Sequence, residues 1–153
     1  MQAIETKLEG CFINEPVVFS DSRGYFFESF NEKKFELITG QSGKFVQDNQ
    51  SSSSYGVVRG LHFQKGEYAQ AKLVRVLEGR VLDIAVDLRP SSPTYSQWVA
   101  IELTGENTRQ LYVPRGFAHG ISVLSENAVF MYKCDNFYHR EAEGGIRFDR
   151  PAL

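Results

Sequence analysis

Three histidines stand in the 153-residue chain, His62, His119 and His139. Imidazole is the side chain whose ordinary titration falls closest to neutral pH, so each is a candidate for moving a proton. His62 lies in the stretch Val57 to Gln64, VVRGLHFQ, with Arg59 three positions earlier and Lys72 ten positions later. A lone histidine on a strand is more simply read as a satisfied core residue. Here the neighbouring cations allow a second reading, a cluster of basic groups on an apolar wall. Strict alternation puts Arg59 and His62 on opposite faces of a strand. A bulge at Gly60 would bring both inward, and glycine is where bulges often sit.

Lys72 opens the run KLVRVLEGRVLDIAVDL, Lys72 to Leu88. Two strand-like segments flank Glu78-Gly79, which predicts a tight two-residue hairpin in which Leu77 pairs with Arg80 and Lys72 opposes Ala85. Alternation then gives one face Lys72, Val74, Val76, Val81, Asp83, Ala85 and Asp87, making Lys72 and Asp83 diagonal neighbours. Both faces are largely apolar, so both should be covered, as in a sandwich whose interior holds a few charges.

The rest of the chain must supply that sandwich. Turn signals recur at Asp21-Ser22-Arg23-Gly24, Arg89-Pro90-Ser91-Ser92-Pro93, Thr104-Gly105-Glu106-Asn107 and Pro114-Arg115-Gly116, with short runs of Val, Ile, Leu, Phe and Tyr between them. That spacing predicts an all-β sandwich or barrel. The one helical candidate is Asn31 to Leu37, anchored by Phe35. Ser51 to Ser54 reads as a loop. The length fits a single domain over 1–153. A net charge of −2 gives no electrostatic reason to expect nucleic acid or a membrane surface as partner. Cys11 and Cys134 are isolated and form no metal or redox motif. The first residues carry charges and no apolar core of a signal peptide, so a cytoplasmic protein is expected.

His119 closes Pro114-Arg115-Gly116-Phe117-Ala118-His119, a P-x-G-x-x-H form that resembles the second sequence motif of the cupin double-sheet barrels. Metal-binding cupins carry H-x-H and a Glu in their first motif. The corresponding residues here are His62-Phe63-Gln64. Two imidazoles without a matched carboxylate make a poor three-ligand set, so no metal is expected.

GVVRGLHFQ, AKLVRVLEGRVLDIAVDLR, SSPTYSQWVAIEL, NTRQLYVPRGFAHGISVLS and YKCDNFY together resemble the dTDP-4-dehydrorhamnose 3,5-epimerase family. Asp21 to Glu28, Val46 to Asn49 and Gly145 to Asp149 match as well, so the likeness runs along the whole chain. It implies an all-β, cupin-like jelly roll with one or two short helices, no cofactor, and a dTDP-linked 4-keto-6-deoxy sugar as substrate. Hydrogens on C3 and C5 of such a sugar flank the C4 ketone, so removing one leaves an enolate whose charge sits on the ketone oxygen. The resemblance assigns His62 as base, Lys72 as the cation for that oxygen, and Tyr132 as the acid on the opposite face.

It also places Arg23 and Arg59 near the diphosphate, where a planar guanidinium suits phosphate oxygens. Phe26, Glu28, Gln47, Asn49, His119 and Tyr138 are expected to line the nucleotide and sugar pocket. Arg23, Phe26 and Glu28 would reach the neighbouring subunit's site through an exchanged N-terminal strand, implying a homodimer. Family members continue past Arg150-Pro151-Ala152-Leu153 and carry there an Asp that pairs with the base. Within this chain Asp83 is the expected internal substitute. Epimerisation at one carbon only or keto-isomerisation of a related 4-keto sugar nucleotide, and sugar-nucleotide binding without turnover, are the alternative readings.

Overall fold

The computed structural model describes residues 1–149, and the expectation attached to Arg150 to Leu153 lies outside the described residues. The chain opens with strands β1 (Gln2–Glu5) and β2 (Phe12–Glu15), then the ribbon β3 (Val18–Asp21) and β4 (Gly24–Phe27) and helix α1 (Glu32–Thr39). Strands β5 (Gln47–Ser54), β6 (Val58–Gln64), β7 (Lys72–Glu78) and β8 (Arg80–Asp87) follow. They lead to β9 (Trp98–Thr104), β10 (Gln110–Val113), β11 (Phe117–Val123), β12 (Asn127–Cys134) and the short β13 (Glu143–Gly145). One sheet has the order β1-β2-β10-β7-β12-β5, the other β13-β6-β11-β8-β9, and β3–β4 stands apart. This is the expected all-β double-sheet jelly roll.

The inner faces meet in an apolar core that includes Val74, Val76, Val81, Ala85, Leu103, Leu111, Phe117 and Phe130. The inward face read from the sequence is therefore right, but its pairing is not. Strands β7 and β8 form no hairpin: β7 bonds to β10 and β12, while β8 bonds to β11 and β9 in the other sheet. At Glu78-Gly79 the chain changes sheets. Gly79 has φ +82°, and a Cβ there would collide with the carbonyl of Asn127. The corner is pressed against β12, which leaves no room for a side chain.

Ser51 to Ser54 is strand rather than loop. The whole of β5 pairs with β12, from Gln47 opposite Cys134 to Ser54 opposite Asn127. The ladder of backbone bonds overrides a weak strand propensity, as tertiary pairing often does. Helix α1 starts one residue later than read and runs two residues further. Asn31 caps it, its side chain accepting from Lys34 N at 3.1 Å, and Gly40 ends it in the left-handed region. Phe35, fully buried, pins the helix to Leu73 and Tyr112 on the outer face of the first sheet.

Candidate active site

Between the sheets lies a cavity of about 490 Å³ whose walls include Arg59, His62, Lys72, His119, Asn49 and Tyr132. Strand β6 delivers two of them by the expected irregularity. His62 pairs with His119 and Arg59 with Ile121, three residues spanning what two span opposite, so the register slips at Gly60-Leu61. Both basic side chains thereby face the cavity. Gly60 has φ +121°, and a Cβ there would lie 2.6 Å from Gly120 Cα and 2.7 Å from the His119 carbonyl oxygen. Only glycine fits this close approach of β6 to its neighbour β11. Arg59 donates from Nε to Ser53 Oγ at 2.8 Å, which fixes its guanidinium at the cavity wall.

Lys72 and Tyr132 come from the opposite sheet. Lys72 Nζ lies 5.3 Å from the centre of the Tyr132 ring. Burial pushes the Lys72 ammonium below its usual range, with the negative groups Asp83 and Glu143 opposing the shift. Burial raises the Tyr132 phenol, and a hydrogen bond with the Asn49 side chain works against that rise. Asn49 is the direct cross-strand partner of Tyr132. His62 thus stands on one wall of the cavity and Tyr132 on the other.

Asp83 does not serve His62. Both its carboxylate oxygens lie 2.9 Å from His119 Nε2, at the buried floor of the cavity. The expected orienting role fails because strands β8 and β11 are direct neighbours, with His119 opposite Ala85 and therefore one diagonal step from Asp83. The carboxylate facing His62 is Glu143, with Oε1 3.6 Å from His62 Nδ1. Its other oxygen, Oε2, accepts from the Tyr138 hydroxyl at 2.9 Å. The Tyr138 backbone N–H donates to Gln47 Oε1 at 3.0 Å, and Gln47 Nε2 donates to Asn49 Oδ1 at 3.1 Å. A continuous set of polar contacts therefore runs from Tyr132 through Asn49, Gln47, Tyr138 and Glu143 to His62; Tyr132, Asn49 and His62 line the cavity, and the other three lie behind them.

The remaining expected residues lie elsewhere. Arg23 and Phe26 sit on the β3–β4 ribbon, lining a separate hollow of about 480 Å³. Arg23 pairs with Asp21 at 2.6 Å, Phe26 is 69% exposed, and Glu28 holds Lys34 at 2.9 Å. Within one chain these three are not brought to the cavity.

Residues 5–153 match the family model for dTDP-4-dehydrorhamnose 3,5-epimerase. The chain belongs to the dTDP-4-dehydrorhamnose 3,5-epimerase family. It is 54% identical to the dTDP-4-dehydrorhamnose 3,5-epimerase of Escherichia coli (strain K12), covering 95% of this chain and 79% of that one. The crystal structure of the Elizabethkingia anophelis NUHP1 enzyme of the same name superposes with a TM-score of 0.97 at 61% identity, over 100% of this chain and 84% of that one. The dTDP-6-deoxy-D-glucose-3,5-epimerase of Legionella pneumophila Philadelphia 1, solved in complex with dTDP-4-keto-L-rhamnose, matches at TM-score 0.95 and 49% identity, covering 99% and 80% of the two chains.

In this epimerase-family chain the sequence reading missed Glu143 and the two serines of β5 that face inward, Ser51 and Ser53. Ser51 lines the cavity and Ser53 holds Arg59. Their signal was the alternation of Gln47, Asn49, Ser51 and Ser53 on one face, hidden by low complexity. Glu143 had no such signal, since its strand is only three residues long and two of them are glycine.

Proposed function

We propose that the chain epimerises C3 and C5 of dTDP-4-dehydro-6-deoxyglucose, giving dTDP-4-dehydro-L-rhamnose, by proton transfer among its own side chains. The observation that carries the reading is the placement of His62 and Tyr132 on opposite sheets across one cavity, with Lys72 beside Tyr132. Inversion needs a base and an acid on opposite faces of the carbon.

His62 takes the proton from C3 or C5, and the electron pair of that C–H bond moves onto the C4 oxygen. The Lys72 ammonium stabilises the enolate oxygen, and a compact point charge suits that work. Tyr132 then gives its proton to the carbon from the other side, and solvent returns the proton from His62 to Tyr132. Burial keeps the phenol protonated at neutral pH and ready to donate. Glu143 faces His62 and steadies the imidazole. His119, held by Asp83, lies on the cavity floor within reach of the sugar, and Arg59 offers its fork to the diphosphate.

Arg23, Phe26 and Glu28 act in a homodimer in which the β3–β4 ribbon of one protomer reaches the partner's cavity. Support comes from the ribbon's isolation from both sheets and from its exposed aromatic residues Phe19, Tyr25 and Phe26. Tyr138, Gln47 and Asn49 complete the nucleotide end. We assign residues 1–153 to a single cupin-like domain working in the cytoplasm; no helix among the described residues is long and apolar enough to cross a membrane.

The test is incubation with dTDP-4-keto-6-deoxyglucose in D2O. Deuterium at C3 and C5 is the expected result. Label at one carbon would make the chain a single-carbon epimerase, and binding without label a non-catalytic module. Phe26→Ala mixed with His62→Ala recovers activity if sites are shared between protomers, and stays inactive if they are not.

A further inference from the structure

Gln64 occupies the position where a metal-binding cupin would carry the second histidine of its H-x-H motif, and nothing in the proton chemistry uses it. It ends β6 on the same side as His62, and only 8% of it is exposed. Its amide nitrogen donates to the Tyr68 carbonyl at 2.6 Å and to the Phe137 carbonyl at 3.2 Å. Its amide oxygen accepts from the His139 backbone N–H at 2.8 Å. A buried amide has two donors and an acceptor, and here all three directions are taken by backbone groups of other segments.

Two of those bonds flank Tyr138. The segment 135–142 crosses from β12 in one sheet to β13 in the other, and Gln64 grips it at Phe137 and at His139. The third bond ties in the turn at Gly66–Tyr68. That turn is joined to the same segment again by the stack of Tyr68 on His139, ring centres 3.8 Å apart, and by Asn136 Nδ2 donating to the Glu67 carbonyl at 2.9 Å. The backbone on both sides of Tyr138 is therefore clamped to the strand that carries His62.

We propose that Gln64 is a positioning residue that sets the Tyr138 ring, whose hydroxyl rests on Glu143 beside His62, and so governs nucleotide affinity rather than the rate of proton transfer. Lys72 and Tyr132 sit on strands of the other sheet and His62 is held by its pairing with His119 of β11, whereas Tyr138 sits on a crossing segment that the clamp holds on both sides. The proposal rests on the reading of Tyr138 as a nucleotide-binding residue.

Gln64→Glu keeps the length of the side chain but turns an oxygen toward the Tyr68 and Phe137 carbonyls, so two attractive contacts become repulsive. Binding of dTDP alone, followed by calorimetry, is expected to weaken about tenfold, the equivalent of roughly one lost hydrogen bond. In the deuterium assay KM for the sugar nucleotide rises with it while kcat holds. Because Gln64 acts through Tyr138, the double variant with Tyr138→Ala binds dTDP no more weakly than Tyr138→Ala alone. Gln64→Met, matched in length and uncharged, gives the same pattern should a buried carboxylate prevent folding.

Unchanged dTDP affinity, additive losses in the double variant, or a fall in kcat at constant KM would each overturn the proposal. If Tyr138→Ala itself binds dTDP normally, the nucleotide reading of Tyr138 fails and the proposal falls with it. If Tyr138→Ala weakens binding and the Gln64 variants do not, the proposal alone fails.

Discussion

His119 Nε2 lies 2.9 Å from both oxygens of Asp83, and the pair is buried at the floor of the cavity. Each partner satisfies the other, so removing one strands a buried polar group. Asp83→Ala is expected to cost about 1–3 kcal/mol in urea unfolding, and His119→Ala a similar amount. The double variant should lose less than the sum, by a coupling of about 0.5–3 kcal/mol. Asp83→Ala combined with Glu143→Gln should be additive in stability, because Glu143 faces His62 and not this pair. Additivity between Asp83 and His119 would contradict the assignment.

Gly60 permits the slip that puts Arg59 and His62 on one side. Its φ of +121° and the 2.6 Å approach of a Cβ to Gly120 Cα leave no strain-free place for alanine. Gly60→Ala is expected to lower stability by about 1–3 kcal/mol. It should also raise KM more than a distant substitution of equal stability cost, since Arg59 follows the bulge. A variant with normal melting temperature and normal KM would show that the close approach of β6 to β11 relaxes without moving Arg59.

These two sites separate what the amino-acid pattern carries from what only the fold decides. The bulge and the inward face of Lys72, Asp83 and Ala85 were legible because alternation and glycine are local signals. The partner of each strand was not. Both segments around Gly79 read as a hairpin, yet the chain changes sheets there, and nothing in a two-residue period distinguishes a turn within a sheet from a corner between sheets. That one topological step is why Asp83 ended on His119. Glu143 was invisible for a related reason, since its three-residue strand exists only as a neighbour of β6. Arg23, Phe26 and Glu28 were named by resemblance along the chain, not by any pattern of their own.

Asp87 is fully buried at the end of β8 and carries a cluster of donors. Arg89 reaches it through Nε at 2.9 Å and a terminal nitrogen at 2.8 Å, while the hydroxyls of Ser92 and Thr94 donate at 2.5 and 2.7 Å. Burial alone would raise this carboxyl, but the hydrogen bonds outweigh it and hold it well below the usual carboxylate range. A depressed folded value contributes stability that is complete above the ordinary value of 3.8 and is lost as pH falls through the folded one. The melting temperature should therefore drop steeply on acidification below about pH 4. Asp87→Asn should lower it at pH 7, by about 3 kcal/mol in unfolding free energy, and flatten the acid decline. An acid decline as steep in the variant as in the parent would place its origin in another carboxyl.

Lys72 sets the opposite trend at high pH. Burial lowers its folded value below the ordinary 10.5, so the folded state disfavours the charge the proposed chemistry needs. The charged lysine therefore costs stability at neutral pH, and that cost is relieved as pH rises through the window between the lowered folded value and 10.5. Lys72→Met is expected to stabilise the fold by about 0.5–2 kcal/mol while abolishing deuterium incorporation, a trade of stability for activity. In the parent, loss of the ammonium contributes an alkaline fall in kcat that begins below the ordinary lysine range. Lys72→Arg keeps its charge across that range, so its alkaline limb, at whatever reduced rate, should be that of Tyr132, whose burial moves it upward from 10.0. The measurement is kcat against pH for the two proteins. If both limbs coincide, the alkaline group is Tyr132 alone, and Lys72 does not gate the reaction by its proton.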